Sequence, residues 1–478
     1  MSAAATSPAL TLPQLAQLAG GDLVVRAPGA PAAREALLRS GVDGVSIDTR
    51  TLTPGALFVP LPGSRADGHA FLAQAFARGA GAALCDRAHW RAIEGREPGP
   101  LVVVEDVTAS LAALASRWRA LWPGLLVGLT GSSGKTTTKE LTAATLATAM
   151  PTLKTEGNLN NQWGVPLTLL RLRPEHRAAV VEMGTSRPGE IAFLAAMATP
   201  TAAIITNAGR AHLEALGSVA AVAREKAALG FALPPGAPLF AGADSPELLQ
   251  ALSGVRARVI TYGFAEHAQV RPRALEDLGP RGTRFEVDGF PPVTLRLIGR
   301  HQVSNALAAM ALARELDLDR AAVVRALEQV APTRGRMEVA AAGGATLLLD
   351  FYNANPDSTR AALDTLARWP ARRRIAVLGE MKELGEASAD LHRQTGAAVR
   401  DAELWAVGDS ADVAALAQGA RGAGAPVRAF PDVAAARAAL AAELAPGLAV
   451  LVKASRGAAL ERVVEGLVPE DGAHGGAH

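Results

Sequence analysis

The residues with the clearest chemistry form a glycine-rich run, GSSGKTT, at positions 131–137. The apolar segment Leu125–Leu129 before it predicts a buried strand, and Leu141–Met150 after it predicts a helix. A turn of this kind lets the backbone surround phosphate oxygens, while the helix start adds unpaired N–H groups. Lys135 can reach the β- and γ-phosphates, and the Thr136 hydroxyl can bind Mg²⁺. We therefore predict a nucleoside triphosphate site, although the strict motif has glycine at position 129, where this chain has leucine. The residues expected to contact the triphosphate are Gly131, Ser132, Ser133, Gly134, Lys135, Thr136 and Thr137.

Polar residues also follow two other predicted strands. Glu182 comes directly after Ala178–Val181, and His212 lies in the segment that follows Ala202–Thr206. Open α/β sheets bind ligands beyond the carboxyl ends of their strands. A carboxylate at Glu182 could bind Mg²⁺ directly or through water. A lone histidine is usually structural, but its position after a strand near a phosphate loop favours a functional role for His212.

Two further segments leave alternatives open. The loop 154–166 contains Asn158, Asn160 and Asn161, and such clusters form turns as often as they bind ligands. Lys226 stands beside an arginine and a glutamate on a predicted helix, where a charge triplet usually faces solvent.

The composition excludes several classes of protein. The 478 residues carry a formal net charge of +2 and are 49% hydrophobic, so no electrostatic footprint for nucleic acid or an anionic membrane is present. A single cysteine rules out an internal disulfide and fits a reducing compartment. Residues 1–8 lack signal-peptide features, and Pro200 interrupts the uncharged stretch 191–209, so we expect a cytoplasmic protein without a transmembrane span.

Strand and helix patterns divide the chain into three α/β domains. We predict a first domain at 1–120, a central P-loop domain at 121–330, a doubly wound Rossmann-like domain at 331–470, and a disordered tail at 471–478. In the first domain, Val45–Arg50 and Leu57–Leu61 are expected to be paired strands around a Pro-Gly turn. A small antiparallel addition is expected late in the central domain, from Val259–Tyr262, Thr283–Val287 and Thr294–Leu297.

Several motifs, in chain order, resemble those of the Mur ligases of peptidoglycan synthesis. They are Gly131–Thr137, Gly157–Asn161, Glu182–Gly184, His212–Glu214, Gly299–Asn305 and Lys453–Arg456. Within that family, Tyr352–Ser358 and Leu378–Gly385 resemble the ligases that join D-alanyl-D-alanine to UDP-N-acetylmuramoyl-tripeptide. The segments around Ser46–Arg50 and Asp67–His69 are similar to the family's uridine-nucleotide domain.

The resemblance implies an ATP-dependent amide ligase that forms an acyl phosphate. It implies that Thr136, Glu182, His212 and a carbamylated Lys226 surround Mg²⁺, and that Lys135, Glu182, His212 and Lys226 serve catalysis. Asn305, Arg336 and Asp350 would contact ATP, and the third domain would bind the incoming dipeptide. The residues expected to contact the UDP substrate are Ser46, Thr49, Arg50, Asn158 and Asn160. The chain departs from the family pattern at Gln302, Ala228 and Ala454.

Two alternatives remain at this point. The chain could be another family member, either the ligase that adds the third peptide residue or a folylpolyglutamate-type synthase. It could also be a P-loop switch or binding module without ligase chemistry. We expect a monomer that does not bind nucleic acid.

Overall fold

The computed structural model describes residues 10–26, 31–63 and 66–468. Contacts group the chain into two compact units, the first of residues 1–129, 150–185 and 190–202, the second of residues 130–149, 186–189 and 203–478. The predicted tail at 471–478 and the segment 1–8 lie outside the described residues. The predicted domain boundaries near 120 and 330 stay predictions.

The first unit opens with short elements around a small sheet. Its elements are β1 (Leu10–Thr11), α1 (Leu12–Ala19), β2 (Asp22–Val24), α2 (Pro31–Arg39), β3 (Gly41–Val42), β4 (Val45–Ser46), β5 (Leu57–Phe58), α3 (Leu72–Ala77), β6 (Ala82–Asp86), α4 (Arg87–Ile93), β7 (Leu101–Val104) and α5 (Val107–Ala120).

The strand order of this small sheet is β2-β7-β6-β5-β4. Only the edge strand β2 runs antiparallel to its neighbour; the other pairs are parallel. The predicted pairing of 45–50 with 57–61 is confirmed for β4 and β5, as a parallel pair. The parallel strands end together, so the segments after β4, β5 and β6 emerge at one edge of the sheet.

The middle of the chain alternates strands and helices, as predicted. Its elements are β8 (Leu125–Thr130), α6 (Lys135–Ala147), β9 (Thr152–Lys154), α7 (Gly164–Leu169), β10 (Ala178–Glu182), α8 (Glu190–Ala198), β11 (Ala202–Ile205), α9 (Leu213–Leu216), α10 (Val219–Phe231), β12 (Pro238–Gly242), α11 (Pro246–Ala251), β13 (Arg258–Tyr262), β14 (Pro272–Asp277), β15 (Thr283–Val287), β16 (Val293–Leu295), α12 (Arg300–Glu315) and α13 (Arg320–Gln329).

Within the first unit, β10 lies between β8 and β9, and all three are parallel. Within the second unit, β12 lies between β11 and β13, again in parallel. The placement of Val259–Tyr262 in an antiparallel addition is therefore wrong. That addition consists of β14, β15 and β16, whereas the helix α11 carries the chain from β12 to a parallel β13.

The last part of the chain forms a doubly wound sheet. Its elements are β17 (Glu338–Ala342), β18 (Ala345–Leu349), α14 (Pro356–Arg368), β19 (Arg373–Leu378), α15 (Ser388–Gly396), β20 (Glu403–Val407), α16 (Ala411–Gly422), β21 (Val427–Phe430), α17 (Val433–Glu443) and β22 (Leu448–Lys453).

The strand order of this sheet is β17-β18-β22-β19-β20-β21. The edge hairpin of β17 and β18 is antiparallel, and the other pairs are parallel. Separate apolar cores cover its two faces, which explains the nearly continuous apolar runs in these strands. Among the described residues, no helix combines the length and apolar character needed to cross a bilayer.

Candidate functional site

The glycine-rich run forms a strand–loop–helix turn, as predicted. Helix α6 starts at Lys135, six residues before the predicted apolar segment, because the threonines after the loop already form its first turns. Gly134 precedes the helix with φ 79°, a left-handed conformation that favours glycine. A Cβ atom at Gly134 would lie 2.4 Å from Asn305 Oδ1, and one at Gly131 would lie 1.8 Å from Thr206 Oγ1. Both glycines are therefore required by close packing around the loop.

Residues at the end of β11 hold the loop in place. Thr206 Oγ1 donates to the Ser133 carbonyl at 2.6 Å. Asn207 Oδ1 accepts from the Ser133 N–H at 3.0 Å, and its Nδ2 donates to the Ser133 carbonyl at 3.1 Å. Lys135 Nζ donates to the Gly131 carbonyl at 2.8 Å, so its ammonium lies over the loop. The motif alone did not identify Thr206 and Asn207 as loop supports, although their position at a strand end was a signal.

Asn305 lies against the phosphate loop. Its Oδ1 accepts from Thr138 Oγ1 at 3.2 Å, and its Nδ2 donates to Gln302 Oε1 at 2.8 Å. Gln302, a departure from the family pattern, thus orients the Asn305 amide. The predicted contact between Asn305 and ATP stays a prediction.

Arg336 and Asp350 lie near the start of the last sheet. The Arg336 guanidinium stacks over the Tyr352 ring at 4.0 Å from its centroid. Asp350 follows β18, where one carboxylate oxygen accepts from the Met337 N–H at 3.1 Å and the other binds Lys453 Nζ at 2.6 Å. Because Lys453 is almost fully buried, this ion pair fixes the Asp350 carboxylate at the strand end.

The motif Tyr352–Ser358 contacts the phosphate loop within the second unit. Asn355 Nδ2 donates to Ser133 Oγ at 3.0 Å. Asp357 accepts from the Arg210 N–H at 2.7 Å and forms an ion pair with its guanidinium at 3.3 Å. The contacting residues lie more than 140 positions apart in the chain, so local sequence patterns could not predict these contacts.

A second contact joins the Leu378–Gly385 motif to the segment after β11. His212 Nδ1 lies 2.5 Å from Glu383 Oε2. The neighbouring His212 imidazole lowers the pKa of the Glu383 carboxyl, so the carboxylate is ionised at neutral pH. His212 has φ 57° and Glu383 φ 65°, left-handed conformations that non-glycine residues rarely adopt.

Lys226 is wholly buried on α10, with no exposed surface. The alternative that it belongs to a solvated charged face is therefore wrong. Its neighbour Glu225 is also buried and accepts from the Gly189 N–H at 2.8 Å. Thr136, in the first turn of α6, is 5% exposed.

In the first unit, the asparagines of the loop 154–166 have different roles: one contacts a predicted site residue and another forms a turn. Asn160 Nδ2 donates to Glu182 Oε1 at 2.8 Å, and a Cβ at Gly184 would lie 2.9 Å from the Asn160 side chain. Asn161 instead accepts from the Gly164 N–H at 2.9 Å and forms a turn. The structure therefore brings Asn160 to Glu182, which is buried at the end of β10. Asn158 lies in the same loop, where its carbonyl accepts from the Asn160 N–H.

Ser46, Thr49 and Arg50 come together after β4. Asp48 organises them: its backbone N–H donates to Ser46 Oγ at 3.2 Å, and its carboxylate binds the Arg50 guanidinium at 2.6 Å. The Arg50 hydrogen bond lowers the pKa of Asp48. Thr49 is buried and donates to Gln74 Oε1 at 3.0 Å.

A histidine–carboxylate cluster occupies the same edge of the small sheet. Its members are Asp67, His69, Asp86 and His89, and the centroids of the two imidazole rings lie 4.0 Å apart. The Asp86 N–H donates to His69 Nε2 at 3.1 Å, so neutral His69 carries its proton on Nδ1, 2.7 Å from Asp67. His89 Nδ1 lies 2.8 Å from Asp86. These groups satisfy one another, and because His69 Nε2 already accepts the Asp86 N–H, that lone pair is not available to a metal.

Family models match the chain in three consecutive segments. Residues 41–119 match the catalytic domain of the Mur ligase family, residues 129–313 its middle domain, and residues 335–456 its glutamate ligase domain. Together with the P-loop and the doubly wound C-terminal sheet, these matches define a multidomain P-loop ligase. The chain belongs to the Mur ligase family.

Comparisons with individual proteins give a more specific result than the family models. The chain is 38% identical over 437 residues to the UDP-N-acetylmuramoyl-tripeptide–D-alanyl-D-alanine ligase of Escherichia coli, covering 89% of this chain and 94% of that one. A crystal structure of MurF from Acinetobacter baumannii has a TM-score of 0.84 and 29% identity, covering 97% and 99% of the two chains. MurF of Thermotoga maritima in complex with ADP has a TM-score of 0.78 and 28% identity, covering 88% and 96%.

Proposed function

We propose that this protein joins D-alanyl-D-alanine to UDP-N-acetylmuramoyl-tripeptide at the expense of ATP, in peptidoglycan precursor synthesis. Curated relatives that cover most of the chain carry the name of that activity. Their coverage and identity favour it over the ligase for the third residue and over a folylpolyglutamate-type synthase.

One observation carries the proposal: the phosphate loop and the Tyr352–Ser358 motif lie together through the Asn355–Ser133 hydrogen bond. A switch or simple binding module needs a phosphate loop alone. A ligase also needs a second substrate delivered to the phosphate that is transferred, and a C-terminal motif that contacts the loop fits this requirement.

The chemistry follows from the poor reactivity of a carboxylate toward an amine. The tripeptide carboxylate attacks the γ-phosphate of ATP, giving an acyl phosphate and ADP. The amine of D-alanyl-D-alanine attacks the acyl carbon, and the tetrahedral intermediate expels phosphate. In this sequence Lys135 neutralises charge on the transferring phosphoryl group, and the first turn of α6 presents its N–H groups to the phosphates.

Mg²⁺ is part of the proposal, and by the family resemblance Thr136, Glu182, His212 and carbamylated Lys226 would hold it. The buried Thr136 hydroxyl and Glu182 carboxylate are the oxygen donors that Mg²⁺ prefers. A carbamate on the buried Lys226 would offer two more oxygen donors. Bound Mg²⁺ would neutralise negative charge on the phosphates.

The proposal also assigns Asn305, Arg336 and Asp350 to ATP, and Ser46, Thr49, Arg50, Asn158 and Asn160 to the UDP substrate. It includes a cytoplasmic location, which a chain with one cysteine fits, and a monomeric state. Light scattering of the purified protein at assay concentration tests the monomer.

The decisive experiment measures phosphate and product peptide with purified protein, ATP, UDP-N-acetylmuramoyl-tripeptide and D-alanyl-D-alanine. Phosphate release should require both the carboxylate and the amine substrate. Reactions that lack one substrate, and a parallel reaction with Lys135→Ala, serve as controls. ATP binding without any product from the complete mixture would contradict the proposed ligase activity. A parallel reaction tests the third-residue ligase: it contains ATP, the UDP-N-acetylmuramoyl-dipeptide that lacks the third residue, and diaminopimelate or lysine as the amine.

A further inference from the structure

The contact between His212 and Glu383 connects two motifs that the established family signatures leave separate in sequence. His212 precedes α9, and its side chain is 18% exposed. Glu383 lies in the loop after β19. The side chains meet at 2.5 Å, and the Glu383 carbonyl accepts from the Glu214 N–H at 3.0 Å. Glu383 therefore holds the His212 segment through both its side chain and its backbone.

The backbone at this contact is unusual on both sides. His212 and Glu383 are both left-handed, a conformation that costs a residue with a Cβ about 1–2 kcal/mol. Gly385, also at positive φ, brings the loop so close that a Cβ there would lie 3.0 Å from Glu214 Cα. Conformations of this cost persist where surrounding contacts impose them, and they are common at functional sites.

The loop that carries Glu383 is fixed from behind. The Met381 N–H donates to His392 Nε2 at 2.9 Å, and the fully buried His392 contacts the Ser388 carbonyl through Nδ1 at 2.8 Å. The Lys382 N–H donates to Ser455 Oγ at 2.9 Å. Met381 and Leu384 pack in an apolar cluster against which Leu213 also packs. The carboxylate is thus presented by a loop with little freedom to move.

An imidazole that donates its Nδ1 proton to a carboxylate keeps a lone pair on Nε2. Histidines that bind metals or accept protons almost always have such a partner, which fixes the ring orientation and the tautomer. We propose that Glu383 is a positioning residue for His212, holding the Nδ1–H tautomer so that Nε2 is available to the reaction site. This inference rests on the proposed function for the use of Nε2, but the tautomer itself does not depend on ligase activity.

The test combines spectroscopy and kinetics on the full chain. Protein labelled with ¹⁵N-histidine is examined at about pH 8.5, where an ordinary imidazole is neutral, and the His212 signals are assigned from His212→Gln. The wild type should show protonated Nδ1 and unprotonated Nε2, and Glu383→Ala should show the mixture of tautomers or the Nε2–H form. Retention of the pure Nδ1–H tautomer in Glu383→Ala would overturn the inference.

The kinetic arm separates positioning from folding. Glu383→Ala should lower kcat by about 10–100-fold, the usual effect of losing a carboxylate partner of a ligating histidine, with little change in KM for the UDP substrate. Glu383→Gln, which keeps an acceptor oxygen, should recover part of the rate. Glu386→Ala removes an exposed carboxylate from the same loop and should match the wild type.

Equal losses in Glu383→Ala and Glu386→Ala would indicate a general effect of the loop and contradict the inference. If the wild type itself made no product, the proposed ligase function would fail, while the NMR arm would still decide the pairing.

Discussion

The phosphate loop and the histidine–carboxylate cluster both lie at carboxyl ends of parallel strands, yet they are built in opposite ways. In the loop, Thr206 and Asn207 hold Ser133 from outside, and the first turn of α6 follows directly. In the cluster, Asp86 and Asp67 occupy both nitrogens of His69. The loop thus supports a backbone shaped for a ligand, whereas the cluster uses its polar atoms on itself. Location at a strand end is therefore weaker evidence for a site than the way its polar groups are partnered.

The strongest test of this difference is Lys135→Ala. Loss of one preorganised charge on a transferring phosphoryl group should lower kcat by about 10²–10³. The fold should be retained, because Lys135 occupies the first position of α6, where alanine is a good helix former. Product formation and circular dichroism measure the two effects, and a turnover near that of the wild type would remove the loop from the mechanism.

Lys226→Ala tests whether the buried Lys226 side chain belongs to the reaction site or only to the core. If Lys226 acts as a carbamate, the variant should lose about a hundredfold in rate and be partly rescued by formate or acetate, which can fill the vacated oxygen positions. ¹³C-bicarbonate should give a carbamate resonance in the wild type and none in the variant. Full activity of the variant without additives would assign Lys226 to packing alone.

Gly134→Ala tests the backbone of the loop, and Gly236→Ala is its matched control. Both glycines are left-handed, with φ 79° and 76°, but a Cβ meets Asn305 only at Gly134 and meets nothing within 4 Å at Gly236. The two variants share the strain of about 1–2 kcal/mol. We expect ATP affinity, measured by calorimetry, to fall about tenfold more in Gly134→Ala. Equal affinities would show that the loop tolerates displacement of Asn305.

Asp86→Asn tests the cluster, and here the expected effect is on stability rather than rate. Burial by itself would raise the pKa of Asp86, but hydrogen bonds from the His89 N–H and imidazole have the larger effect. The net result is a lowered pKa. A carboxyl whose folded pKa is depressed stabilises the fold above its unfolded pKa of about 3.9, and this contribution is lost as pH falls through the folded pKa.

Asparagine can still accept the capping hydrogen bond of α4, so this variant isolates the charge. The free energy of unfolding, measured in urea, should be about 1 kcal/mol lower in the variant than in the wild type at pH 7. This difference between the two proteins should become smaller below about pH 4, and kcat should be unchanged. A loss of kcat at full stability would make the cluster part of the reaction site.

The smallest expected effect concerns Cys85. Burial raises the pKa of its thiol to about 12, so the thiolate is scarce at neutral pH. A thiol reagent such as DTNB should react slowly with the native protein and rapidly in urea. Fast reaction of the native protein would show that this part of the small sheet opens.

The sequence predicted the features that depend on neighbouring residues. The phosphate loop, the strands that end at Glu182 and before Asn207, and the doubly wound C-terminal sheet were recognisable because glycine spacing and apolar runs are local signals. Val259–Tyr262 was assigned to the wrong sheet, because strand pairing depends on the path of the chain and a short apolar run does not encode it.

Contacts between segments that are distant in the chain could not be predicted from the sequence, because they too depend on the path of the chain. Nothing near His212 indicates that Glu383 approaches it, and nothing near Lys226 distinguishes a buried position from the exposed one of its neighbour Arg224. Burial and long-range pairing arise from tertiary packing, which overrides the local rule that charge triplets face solvent.

The Asn355 side chain makes two different hydrogen bonds, which restricts the residues that could replace it. Its Oδ1 accepts the Ser358 N–H and caps α14, while its Nδ2 donates to Ser133 Oγ in the phosphate loop. Aspartate or serine could replace it as a cap, but an aspartate carboxylate has no proton to donate and serine is too short to reach both partners. Asn355 can therefore not be exchanged for another common capping residue. A substitution at this position should be tolerated only together with a change at Ser133.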